Sequence, residues 1–293
     1  MNFDEKYSTI KQYASKELSI IEDKLVSSVN IIEPLNSHLK KFLISPSKRI
    51  RSVLPILYTK ALGEELSNQQ LDLLCAIELV HNASLIHDDI IDESDLRRNK
   101  KTINAEFGNK LAVISGDYLL SIAMDIITNL NSKDILEKFI STIRQMCIGE
   151  INQNFNRFKI GTIDEYIEKS KNKTAYLFET AFKCCTILGT HSQNMDISGK
   201  IGLNIGIAFQ IRDDILNLVN TDKSKPVNND LKDGIYNAPI IYSGSIENYT
   251  QGIEKTRDLL NNYIEKAKIQ ISKLPENEFK KKIYDFLELL IND

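Results

Sequence analysis

Apolar residues recur along most of this chain at helical spacing. Within residues 71–87, Leu73, Ala76, Ile77 and Val80 follow the i, i+3, i+4, i+7 pattern of one helix face. Leu119, Ile122, Ala123 and Ile126 repeat it. Ile201, Ile205 and Ala208 also share a face, although residues 201–207 taken alone alternate as a strand would. No proline interrupts the chain between Pro55 and Pro226, which leaves long helices unbroken. Hairpin turns flanked by alternating runs are absent; Asp233-Gly234 sits in a polar stretch, residues 220–237, that reads as a loop. Residues 253–293 read as one or two amphipathic helices broken near Pro275. With no internal repeat and no linker, the pattern predicts a single all-α domain spanning residues 1–293.

Composition narrows the function classes. The 293 residues are 42% hydrophobic and 26% charged, a globular profile long enough to bury a core without disulfides. A net charge of −3 argues against nucleic-acid binding, which favours a basic stripe. Cys75, Cys147, Cys184 and Cys185 form no CxxC pair, so all four are expected to be reduced core residues of a cytoplasmic protein. Residues 1–24 mix charge and apolar residues without a signal-peptide pattern, and no continuous apolar run suggests a membrane-spanning helix.

Two acidic clusters carry the candidate chemistry. The first is His87-Asp88-Asp89-Ile90-Ile91-Asp92, followed by Arg97-Arg98. At about 100° and 1.5 Å per residue, Asp88 and Asp92 project together, with Asp89 beside them. Oxygen ligands at that spacing suit Mg²⁺, a hard ion that takes one or two carboxylates plus substrate phosphates. A solvated acidic helix end is the plainer alternative. The second cluster, Gln210-Ile211-Arg212-Asp213-Asp214, has the same spacing, with Asn217 where a third acid would fall. Each cluster ends an apolar run, as expected for acids at the rim of an apolar cavity. The His87-Asp88 pair also occurs in metal phosphohydrolases, but those need further spaced histidines, and only His38 and His191 remain elsewhere.

These motifs, in this order over roughly residues 48–239, resemble the trans-isoprenyl diphosphate synthases. The resemblance implies a large helical bundle around a deep cavity, an expected homodimer or heteromer, and two substrates: an allylic diphosphate and isopentenyl diphosphate. It also implies Mg²⁺, three ions per active site with substrate bound. Ser47-Lys48-Arg49-Ile50-Arg51 is similar to the family's isopentenyl diphosphate loop, which would make Lys48, Arg51, His81 and Arg98 its ligands. By the same resemblance Asp88, Asp89, Asp92, Asp213 and Asp214 would hold metal. Arg97, Lys173, Thr174 and Gln210 would meet the allylic diphosphate, and Lys225 the leaving group. Gly116-Asp117, and Glu150 with Gln153, match further motifs.

Departures are Pro46-Ser47 for paired glycines, Ser52 for a proline, and Asn217, Ile235 and Asn237 at motif positions. Ala83 and Ser84 are small where short-chain members carry bulky aromatics. That implies a long product, of six to eight isoprene units, with Val80, Ile77 and residues 119–122 as candidate floor. A farnesyl or geranylgeranyl diphosphate synthase, a terpene cyclase of the same fold, and the catalytic subunit of a heteromer are the competing readings.

Overall fold

The computed structural model describes residues 3–98, 100–219 and 229–292. The chain opens with α1 (Phe3–Lys11), α2 (Ser15–Ser28), α3 (Leu35–Leu43), α4 (Ile50–Ala61) and α5 (Asn68–Ile91). A two-stranded antiparallel hairpin follows, β1 (Leu96–Arg97) and β2 (Lys100–Lys101). Then come α6 (Ile103–Phe107), α7 (Asn109–Asn129), α8 (Lys133–Phe155), α9 (Ile163–Ser170), a π-helical turn (Lys171–Ala175) and α10 (Tyr176–Ile187). The last are α11 (Met195–Val219), α12 (Asn229–Lys232), α13 (Ala238–Ser243), α14 (Thr250–Ile271) and α15 (Glu278–Asn292).

Helix α5 is the axis. Ser67 and Gln70 cap its start reciprocally, and the stripe of Leu73, Ala76, Ile77 and Val80 is buried. Helices α2, α4, α7 and α10 pack around it, and α10 in turn packs on α8 and α11. The alternation in residues 201–207 did not make a strand, because it lies inside a 25-residue helix buried on several sides. The tail breaks into α14 and α15 around Pro275, as its sequence indicates.

Two expectations are corrected. Cys147 is exposed, while Cys75, Cys184 and Cys185 are buried. Helix α8 turns an outer stripe of Ile140, Cys147, Ile148, Ile151 and Phe155 to solvent, so an apolar position there is not a core position. Helix α7 is also long and apolar enough to cross a membrane by length and composition. Its scattered Ser, Gly and Thr break any continuous apolar run yet hardly lower its mean hydropathy. It packs against α5 as a bundle helix does.

Candidate active site

The last turns of α5 carry the first acidic cluster. Asp92 caps the helix, its N–H donating to the Asp88 carbonyl at 2.8 Å. Asp89 is buried, and both Nε and Nη2 of Arg97 donate to its Oδ1 at 2.8 Å. That pair ties the β-hairpin to the helix end and commits Asp89 to Arg97. Burial raises the Asp88 carboxyl to about 6; Lys173 opposes the rise, and Glu150 and Asp92 add to it. Asp92 is also raised, by burial against Lys173, with Glu150 and Asp233 contributing. Burial, more than the neighbouring acids, therefore sets both carboxylates.

The second cluster is held differently. Asp214 is buried and accepts from the Tyr166 hydroxyl at 2.6 Å and from Gln210 Nε2 at 3.0 Å. Thr174 Oγ1 donates to Gln210 Oε1 at 2.5 Å, which extends the chain to the π turn. Asp213 is about half exposed, and the buried Arg212 guanidinium lies 3.7 Å from it.

Lys173 links the clusters. It borders both an apolar cavity that includes Asp88 and a small polar pocket that includes Asp214. The π turn, a form common at functional sites, places it there. The turn lies so close to α8 that a Cβ on Gly149 would fall 2.6 Å from Asn172 Cβ. Beside Gly149, Gln153 Nε2 donates to Glu150 Oε1 at 3.2 Å. Likewise a Cβ on Gly116 would strike His87, so both motif glycines mark close approaches.

A third group surrounds the start of α4. Arg51 Nη1 lies 3.1 Å from His81 Nε2 and stacks on Phe178. Burial, then Arg51, Arg98, Arg49 and Arg97, hold His81 well below its ordinary value, so its ring is neutral and accepts from Arg51. Lys48 lies 3.2 Å from Asp4 and over the Phe3 ring. Arg98, in the left-handed region at φ 54°, reaches the Ser45 carbonyl at 3.5 Å. The sequence did not single out Arg49. It is buried at φ 54°, donates to buried Glu78 at 3.0 Å and caps the Leu43 carbonyl, while Ser52 also donates to Glu78. Its place between Lys48 and Arg51 was the available signal.

The apolar cavity occupies about 180 Å³ and is lined by Val80, Ser84, Leu120, Ile143, Met146 and Cys147 as well as by acids at its mouth. Ser84 lines it, whereas Ala83 is fully buried in the core and does not. Of the expected floor, Val80 and Leu120 line the cavity while Ile77 and Leu119 pack in the core; the α8 residues Ile143, Met146 and Cys147 carried no signal in the sequence. Lys225 falls outside the described residues. Farther along the chain, Asp233 bears on Asp92, and the Gly234 carbonyl accepts from the Phe158 N–H at 2.7 Å. His38 pairs with Glu106 and His191 with Glu64, so neither joins the His87-Asp88 pair.

Comparison with known proteins places the chain in a family. A prenyl transferase of Cyanidium caldarium is 31% identical over 96% of this chain and 97% of its own length. Component 2 of the heptaprenyl diphosphate synthase of Bacillus subtilis is 30% identical over 90% of this chain and 79% of its own length. The crystal structure of heptaprenyl diphosphate synthase from Staphylococcus aureus superposes with a TM-score of 0.88 at 25% identity, covering 95% of this chain and 98% of that one. Residues 32–277 match the polyprenyl synthetase family, and the chain belongs to it.

Proposed function

We infer that this enzyme is a trans-polyprenyl diphosphate synthase that joins an allylic diphosphate (farnesyl or geranylgeranyl) to successive isopentenyl diphosphate units, giving a long all-trans product. The observation that carries this is Lys173, set between two acidic clusters at the mouth of an apolar cavity.

The donor set fits Mg²⁺. Asp88, Asp92, Asp213 and Asp214 offer only oxygens, the ligand type this hard ion takes. Among the described residues no three acidic, histidine or cysteine side chains form a ready metal cluster. Mg²⁺ here would take phosphate oxygens of the substrate as further ligands, its usual condition. When bound, Mg²⁺ would neutralise the charge developing on the departing diphosphate. Asp89 supports the site through Arg97.

The remaining work falls to side chains. Lys173, Thr174, Gln210 and Arg97 orient the allylic diphosphate, and Lys173 supplies positive charge as its C–O bond ionises. Lys48, Arg51, His81 and Arg98 hold isopentenyl diphosphate through charge-assisted hydrogen bonds, so that its double bond faces the allylic carbon. Val80, Ser84, Leu120 and Met146 keep water from the cationic carbon. The proton lost afterwards would go to the departing diphosphate.

Small Ser84 leaves the cavity open, and the cavity reaches the surface at exposed Cys147, which supports extension beyond four units. The exposed apolar stripe on α8 supports burial against a partner subunit, a second copy by symmetry preference. The relative named as a component favours one further reading, in which the chain is the catalytic half of a heteromer. Four unpaired cysteines support a cytoplasmic setting. The test is turnover by the purified chain alone with farnesyl diphosphate, isopentenyl diphosphate and Mg²⁺. Products longer than C20 support the proposal. A product that stops at C20, or turnover of a C10 primer with none of farnesyl diphosphate, supports a short-chain synthase, and turnover only after adding a second polypeptide supports the heteromer.

A further inference from the structure

Helix α1 lies directly on the loop assigned above to isopentenyl diphosphate. The Tyr7 hydroxyl donates to the Lys48 carbonyl at 2.8 Å, and Lys11 Nζ donates to the Ser47 carbonyl at 2.8 Å. Both bonds land on the segment where Pro46-Ser47 stands in place of glycines. Asp4 Oδ1 meets Lys48 Nζ at 3.2 Å. The Phe3 ring is buried between two cations, with Lys48 Nζ 4.3 Å and Arg212 Cζ 4.1 Å from its centroid. Tyr7 anchors the helix edge-on against Phe286 of α15 at 5.9 Å.

We propose that α1 is a functional part of the isopentenyl diphosphate site: Tyr7 and Lys11 position its loop, and Asp4 serves as an internal counter-anion that the incoming diphosphate must displace from Lys48. This rests on the assignment of Lys48 to that substrate. The chemistry is direct. A lysine ammonium demands an anion, and a single exposed carboxylate satisfies it weakly. A diphosphate carries more charge and reaches Arg51 and Arg98 as well, so it wins the exchange. Asp4 is about three-quarters exposed, so its hold is that of a surface pair. The cost to substrate binding is correspondingly small, about two- to fivefold in affinity. Tyr7 acts differently. It makes no substrate contact but fixes the carbonyl of the residue whose ammonium does, and is a positioning residue.

The experiment titrates isopentenyl diphosphate, and separately farnesyl diphosphate, into the full chain by calorimetry. The proteins are wild type, Asp4→Asn, Lys48→Ala, the double variant and Tyr7→Phe. Asp4→Asn should tighten isopentenyl diphosphate about two- to fivefold at low ionic strength, and high salt should shrink the gain. In the Lys48→Ala background the same substitution should change nothing. Tyr7→Phe should weaken isopentenyl diphosphate about three- to tenfold. Farnesyl diphosphate affinity should stay constant in Asp4→Asn and Tyr7→Phe. An equal effect of Asp4→Asn with and without Lys48 would overturn the counter-anion role. Equal loss of both substrates in Tyr7→Phe would reduce Tyr7 to a packing residue and overturn its role. Should Lys48→Ala bind isopentenyl diphosphate as tightly as wild type, the assignment of Lys48 itself fails, a result separable from the other two.

Discussion

Replacing Asp88 by Asn should stabilise the metal-free protein while abolishing catalysis. The Asp88 carboxyl is raised from 3.8 to about 6, chiefly by burial, with Glu150 and Asp92 adding repulsion that Lys173 only partly offsets. A difference of about 2 pH units corresponds to about 3 kcal/mol between the charged and neutral forms. The sign follows from proton linkage. The folded state binds this proton more tightly than the unfolded state, so the associated stability is fully present only below the unfolded value of 3.8. It is lost as pH rises through about 6, and at pH 7.5 the charged carboxylate opposes folding by about 3 kcal/mol. Asn keeps the shape and removes the charge. Thermal unfolding in EDTA at pH 7.5 should show a Tm about 5 °C higher for Asp88→Asn. At pH 5 the difference should fall to about half. With Mg²⁺ and diphosphate the order should reverse, because only the wild type gains ligand stabilisation. A variant no more stable than wild type in EDTA at pH 7.5 would refute the idea that this cluster is held in electrostatic tension.

Further tests address the cavity and the core. Ser84→Phe should shorten the product by filling the cavity, read by chain-length analysis, whereas Ala83→Phe should overpack the core and lower stability by about 1–3 kcal/mol. A thiol reagent should leave Cys75, Cys184 and Cys185 unlabelled in the native protein and label all four cysteines after denaturation; burial pushes these three up to about 12 and keeps them inert. Because Cys147 lines the cavity, Cys147→Phe should also shorten the product. Arg49→Leu should cost about 3–5 kcal/mol in denaturant unfolding, because buried Glu78 loses its countercharge.

The helical fold was legible because the 3.6-residue period of α5, α7 and α11 is long and no proline falls between Pro55 and Pro226. The acidic clusters were legible because consecutive aspartates ending an apolar run stand out in one dimension. Which acid does what was not. Asp89 and Asp88 are neighbours, yet one is committed to Arg97 and the other faces the cavity, a distinction set by helix phase and by the hairpin that follows. The same phase separates Ser84, in the cavity, from Ala83, in the core. Arg49 and Tyr7 were invisible because their partners, Glu78 and the Lys48 carbonyl, are remote in sequence. The role of Lys173 between the clusters required the π turn, whose single extra residue leaves no mark in periodicity. Cys147 was misjudged because α8 lies at the bundle edge with an apolar outer face.

The most direct test is to soak Mn²⁺ and inorganic diphosphate into crystals and locate the metal by anomalous scattering. Peaks within coordination distance of Asp88 or Asp92 on one side and Asp213 or Asp214 on the other, with the diphosphate and Lys173 between them, are the predicted result. Metal at only one cluster, with diphosphate bound elsewhere, would contradict the account.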